Sequence, residues 1–200
     1  MRFILILLLC LPCWVNAEVY EWQDAAGNKH FTDHPVADAK IVDIKPGYDF
    51  FRVKTVYDGD TVLLATREDS RLKVRLYGID APETKKPNKP GQPYGDISKR
   101  TLMYKIMGRR VTVEIIDVDQ YKRVVAVIRY AGRDINREMV SEGMAWAYRQ
   151  YLHAPYASGY IDSEARAQSH RAGLWRESNP QPPWEFRHDQ KGRGKYSRKW

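Results

Sequence analysis

The stretch Arg71 to Thr84, RLKVRLYGIDAPET, carries an arginine and two carboxylates within a few residues: Arg75, Asp80 and Glu83. Carboxylate oxygens are hard donors suited to a divalent cation, and a guanidinium is a planar fork of donors suited to phosphate. Together they describe a metal and phosphate site. Taken alone, they describe a charged surface hairpin equally well. Asp60, in YDGDT, adds a third carboxylate with Asp58 close before it, and Arg123, in DQYKR, adds a second arginine. A phosphodiester is anionic and slow to cleave, and attack by water builds negative charge on its equatorial oxygens. A hard cation held by Asp60 and Asp80 would offset that charge and position the water. Glu83 lies three residues from Asp80, within reach of the same water as a general base.

These side chains need elements to position them. Leu72, Val74 and Leu76 alternate with Lys73, Arg75 and Tyr77, so Arg71 to Leu76 is predicted as a strand, broken by Gly78 and Pro82. Before it, Phe50 to Ala65 holds two β-rich runs around Asp58-Gly59, a hairpin signal. Lys85 to Tyr94 is rich in Lys, Pro and Gly and reads as an exposed, mobile loop. Asp96 to Met107 reads as a helix with Ile97, Leu102 and Ile106 on one side, stopped at Gly108. Val111 to Ile115 and Val124 to Ile128 alternate as two more strands, joined by a turn at Asp119 to Arg123. Asn136 to Glu142 is predicted as a short helix closed by Gly143, and Ser163 to Arg171 as a third helix stopped by Gly173. Ala145 to Tyr151 reads as extended and aromatic, and Pro180 to Trp184 as a proline-rich wrap.

Five strands with a helix after the third describe an α+β, mainly β chain: a five-stranded OB-fold barrel with three helices. A small β-hairpin module precedes it. The expected divisions are a signal peptide at 1–17, the small β module and connector at 18–48, the OB-fold domain at 49–186, and a basic, disordered tail at 187–200. Arg2, the apolar run from Phe3 to Leu11 and the small residues before Ala17 make the export signal. That run is shorter than the roughly 20 apolar residues of a membrane span. Both cysteines, Cys10 and Cys13, lie within the signal, so the mature chain uses no disulfide. An apolar fraction of 43% excludes general disorder, and a net charge of +8 favours polyanionic partners, nucleic acid before a membrane surface. The expectation is an exported protein, periplasmic or secreted, monomeric, with no identifiable protein partner.

In order and spacing, Asp58-Gly59-Asp60-Thr61, Arg75, Asp80-Ala81-Pro82-Glu83-Thr84 and Arg123 resemble the thermonuclease (staphylococcal-nuclease-like) family. The resemblance runs from about Phe51 to Trp184. It implies calcium as the cation, held by Asp60, Asp80 and the backbone carbonyl of Ala81. It implies Glu83 as general base, Arg75 and Arg123 as the clamp on phosphate, and Asp58 as a partner behind the ligands. The expected activity is hydrolysis of DNA and RNA with little sequence preference, leaving 3′-phosphates. One residue departs from the family pattern: Lys122 stands where relatives have glycine before the second arginine. Residues 20–27, with Tyr20, Trp22, Asp24 and Gly27, resemble a short module of unknown function found in exported bacterial proteins.

Substrate contacts are expected from Tyr121, Tyr148 and Tyr151, whose rings can stack on sugar or base, or else pack in the core. Lys85, Lys86 and Lys89 can steer phosphates or simply solvate their loop. Two other functions compete with the nuclease. One is a non-catalytic OB-fold nucleic-acid-binding module. The other is a cell-envelope adaptor acting through the N-terminal module and the basic tail.

Overall fold

The computed structural model describes residues 19–23, 29–32, 36–37, 39–42, 50–66, 70–87 and 89–196. The signal peptide, Asp24 and Gly27 of the module pattern, and residues 197–200 lie outside them. The chain begins with β1 (Val19–Gln23), β2 (Lys29–Thr32) and β3 (Lys40–Val42), which form a small antiparallel sheet in the order β2-β1-β3. The expected hairpin is present, and part of the expected connector supplies its third strand by pairing Val42 with Val19.

The barrel follows: β4 (Phe51–Val56), β5 (Thr61–Ala65), β6 (Arg71–Leu76), the short β7 (Ile79–Asp80), then α1 (Gly95–Ile106), β8 (Arg110–Val118) and β9 (Val124–Tyr130). β4, β5 and β6 form an antiparallel meander. β6 then pairs in parallel with β9, β9 pairs antiparallel with β8, and β8 returns to β4 to close the barrel. Closure removes the open edges that an isolated meander would leave. The alternation read in β6 is borne out: Leu72, Val74 and Leu76 are buried, while Lys73 is exposed. They meet Val62, Leu64, Val124, Ala126 and Ile128 in one core. Each such Val, Leu or Ile side chain contributes about 1.5–3 kcal/mol when buried.

β10 (Arg133–Asp134) leads into α2 (Ile135–Ser141), where the Asp134 carboxylate caps the helix by accepting from the Arg137 N–H at 2.9 Å. β11 (Trp146–Ala147) pairs with β7, and after a 3₁₀ turn come α3 (Ala157–Ser169) and α4 (Pro183–Tyr196). Two helical expectations need correction. α3 starts six residues before the predicted Ser163, because Tyr160 is a core residue of its first turns. In α1, Leu102 and Ile106 are buried, but Ile97 is 41% exposed and Ser98 takes the inward position, donating its hydroxyl to the Met144 carbonyl at 2.7 Å. The region read as a disordered basic tail is also helical through Tyr196, so the described chain has four α-helices rather than three. Pro183 occupies the first position of that helix, where its missing N–H and fixed φ suit a start.

Candidate active site

Arg75 is the centre of the site. It stands on β6 opposite Thr61 of β5, and its side chain points away from the barrel core. One guanidinium nitrogen, Nη1, binds Asp60 Oδ1. The other, Nη2, donates to Asp80 Oδ1 at 2.8 Å and to the Ile79 carbonyl at 3.2 Å. One planar group thus draws together carboxylates from two different chain segments. The Asp60 carboxylate is satisfied further by the Thr61 hydroxyl at 3.0 Å and the Ala81 N–H at 2.7 Å. Asp58 Oδ1 accepts from the Asp60 N–H at 3.2 Å, placing a fourth acid directly behind.

Close packing holds the two acidic segments together. A Cβ on Gly59 would lie 1.9 Å from Ser98 Oγ and 2.7 Å from the Ala81 Cβ, so only glycine lets the β4–β5 turn approach α1 and the Asp80 segment. The Asp58-Gly59 pair is therefore more than a turn former. Glu83 is fixed by its backbone: its N–H donates to Gln92 Oε1 at 3.0 Å, and its carbonyl accepts from the Gln92 N–H at 2.8 Å. The loop expected to be mobile is tied down at that end, while Lys85, Lys86 and Lys89 are exposed.

The site contains an arginine that the sequence reading missed. Arg187 of α4 donates from Nη1 to Asp80 Oδ1 at 3.1 Å and to Glu83 Oε1 at 3.0 Å, and from Nη2 to Asp80 Oδ2 at 2.7 Å. The signal for it lay in Pro182-Pro183-Trp184: a proline-started helix puts residue 187 one turn beyond Trp184. Trp184 stacks on Tyr148 at 5.1 Å with an interplanar angle of 2°, and this contact docks α4 beside β11.

Arg123 is not brought to the carboxylates. Its Nε and Nη2 go to Asp119 Oδ2 at 2.7 and 2.6 Å, and its guanidinium lies 5.5 Å from the centre of the Tyr121 ring. Val125, two residues on, is the β9 partner of Arg75, and Arg123 itself lies in the β8–β9 turn, one residue before β9 begins. Lys122 keeps the left-handed backbone that glycine would adopt freely, with φ 59°. Of the tyrosines, Tyr148 and Tyr151 meet edge to face at 4.9 Å beside the site, and Tyr121 is 68% exposed on the β8–β9 turn.

The electrostatics follow from burial. Burial, with Asp60 next to it, pushes the Asp58 carboxyl up to about 7. Burial also pushes Asp80 up, against the hydrogen bond from Arg187 and the charge of Arg75. Asp60 is equally buried, but the charge of Arg75 and the Ala81 N–H outweigh that burial and hold it below the usual carboxylate range. Asp60, Asp80 and Glu83 thus share two guanidinium groups, a surplus of negative charge that a hard divalent cation fits. Among the described residues no three His, Cys, Asp or Glu side chains converge as a metal cage. A cation here would rest on Asp60, Asp80, a backbone oxygen such as that of Ala81, and water.

Comparison with known proteins bears on the same segments. A family model described as Staphylococcal nuclease homologue matches residues 73–177, and one described as Domain of unknown function (DUF4124) matches residues 6–48. An uncharacterized endonuclease of Haemophilus influenzae is 39% identical over 140 residues, 70% of this chain and 74% of that protein. A micrococcal nuclease of Shigella flexneri is 38% identical over 155 residues, 71% of this chain and 83% of its own length. A probable staphylococcal-like nuclease of rice (Oryza sativa subsp. japonica) is 37% identical over 121 residues, which cover 34% of that longer protein.

Proposed function

The chain belongs to the staphylococcal nuclease homologue family, and from that premise we propose an exported, calcium-dependent nuclease that cleaves DNA and RNA with little sequence preference. That it is a nuclease, and so a hydrolase, follows from the family. The cation, the breadth of substrate and the export are the proposal. The observation that carries the proposal is the Arg75 guanidinium, which gathers the buried Asp60 and Asp80 into one site beside Glu83.

Asp60, Asp80 and the Ala81 carbonyl would hold calcium. When bound, calcium would supply a hard positive charge that offsets the growing charge on phosphate and orients water. Glu83 takes the proton of the attacking water as its oxygen bonds to phosphorus, the bond from phosphorus to the 5′ oxygen breaks, and that oxygen takes a proton from solvent, so the products are a 3′-phosphate and a 5′-hydroxyl. Arg75 donates to the phosphate oxygens while keeping its hold on Asp60 and Asp80. Arg123, oriented by Asp119, reaches the phosphate from the β8–β9 turn. Tyr148, Tyr151 and Tyr121 present rings to sugars or bases, and Lys85 steers phosphates into the site. Residues 1–17 would direct export, and the mature chain would act as a monomer. Among the described residues no helix is long and apolar enough to cross a membrane.

Digestion of plasmid DNA and of RNA by the purified mature chain, with calcium and with a chelator, tests this reading. Both substrates should be degraded with calcium and spared with the chelator. Glu83→Gln should lose about 10²- to 10⁴-fold in rate with an unchanged circular dichroism spectrum. Wild-type rates in Glu83→Gln would remove Glu83 as the base. Binding without digestion would favour the non-catalytic OB-fold module.

A further inference from the structure

Arg187 is held where no general role for a surface arginine would put it. Its fork covers both oxygens of Asp80, Oδ1 at 3.1 Å and Oδ2 at 2.7 Å, and reaches Glu83 Oε1 at 3.0 Å. Arg75 already donates to Asp80 Oδ1. Every oxygen of Asp80 therefore faces a guanidinium, and Asp80 itself is fully buried. A divalent cation coordinated by Asp80 needs one of those oxygens. Oδ2 is held by Arg187 alone, so a cation arriving there competes with the Arg187 guanidinium rather than with Arg75, which is locked by Asp60 and the Ile79 carbonyl, and the remaining partner of Arg187 in the site is Glu83.

The backbone that carries Arg187 is well anchored. Trp184 stacks on Tyr148 and meets Trp146 edge to face at 5.7 Å, and the Gln181 carbonyl accepts from Gln92 Nε2 at 3.0 Å. Gln92 is the residue that pins Glu83. The side chain is different: 37% of the Arg187 side chain is exposed. The long, partly solvated guanidinium can therefore swing while the helix stays put. Once off Asp80, it remains tethered at the mouth of the site, where an incoming phosphate meets it.

We propose that Arg187 is a further substrate-binding residue of this nuclease, one that closes Asp80 in the free protein and passes to the phosphate when a cation enters. This inference rests on the cation-dependent reading of the same site. It makes cation and nucleic acid bind cooperatively: the cation releases Arg187, and the phosphate gives the released guanidinium a new partner.

Calorimetric titration of calcium into the mature chain without nucleic acid gives a readout independent of turnover. Removing the competitor should tighten calcium binding, so Arg187→Ala should bind about tenfold more tightly than wild type. Arg187→Lys, which keeps a charge but loses the fork, should fall between them. Adding a short oligonucleotide in a Glu83→Gln background should tighten calcium binding, and Arg187→Ala in that background should lose most of that gain. Calcium affinity unchanged or weakened in both Arg187 variants would overturn the proposal while leaving the cation site intact. Calcium binding that survives Asp80→Asn would instead overturn the cation reading of the site, and this inference with it.

Discussion

A guanidinium shared by two buried carboxylates is the smallest unit on which the site depends. Arg75 stays charged because the charges of Asp60 and Asp80 outweigh the burial that works against it. A lysine could reach one of those oxygens but could not span both with a planar fork. A second residue-scale feature is Lys122. Its φ of 59° places a Cβ in the left-handed region, which a non-glycine residue adopts at a penalty of about 1–2 kcal/mol. Asp119 enforces that shape, since its carboxylate accepts from the N–H groups of Tyr121 and Arg123 at 2.9 and 3.0 Å. The lysine recovers part of the penalty by placing its Nζ 5.6 Å from the centre of the Trp22 ring, an exposed contact of about 0.5–1 kcal/mol. Lys122→Gly should therefore stabilise the fold modestly, by less than about 1.5 kcal/mol, seen as a higher midpoint in thermal unfolding. A lower midpoint would mean that the contact with Trp22 outweighs the strain.

At the scale of elements, α3 is joined to the barrel through its tyrosines. The Tyr160 hydroxyl donates to both oxygens of Asp134 at 3.1 Å, and the Tyr156 hydroxyl donates to Glu114 on β8. Burial first, then the facing carboxylate, pushes Tyr160 up beyond the usual range and Tyr156 up to about 12. The sign is that of a group whose neutral form the fold prefers. The stabilisation is complete below the ordinary tyrosine value of 10.0 and is lost as pH rises through about 12. Unfolding midpoints measured across that window should fall with rising pH, and Tyr156→Phe should flatten the fall. An equally steep fall in Tyr156→Phe would place the alkaline sensitivity elsewhere. The elements also explain which parts of the site sequence alone can reveal. Asp60, Arg75, Asp80 and Glu83 lie within one meander, where alternation and turn residues translate directly into faces and positions. Arg187 meets Asp80 across 107 positions, through a helix whose composition reads as a solvated tail. What places it is the stacking of Trp184 on Tyr148, a tertiary contact with no local periodicity to announce it. Arg123 is a partial case: it stands one residue before β9, whose register with β6 sets the neighbouring positions, but the Asp119 carboxylate that holds it depends on the conformation of the turn.

For the whole molecule, charge decides how nucleic acid arrives. A net charge of +8 draws polyanions from a distance, whereas the site itself carries a surplus of acid. Attraction must then come from basic groups around the site, and the exposed Lys85, Lys86 and Lys89 lie on the loop that leaves Glu83. The Lys86–Lys89 backbone bridge, with bonds of 3.0 and 3.1 Å, ties those two residues together, and Gln92 anchors the far end of the loop. Binding to a duplex should weaken with salt, with a log–log slope of about −0.9 per phosphate neutralised. Fluorescence anisotropy on the Glu83→Gln protein, expected to cleave bound substrate far more slowly than wild type, measures that slope. Replacing the three lysines by alanine should make the slope shallower by about one unit for each lysine that touches a phosphate. The rate at saturating substrate in the otherwise wild-type protein should be unaffected, because none of the three lies among the groups that surround Asp80. A slope identical to that of the parent would place the phosphate contacts on another face, with the exposed β8–β9 turn carrying Tyr121 and Lys122 the next surface to test.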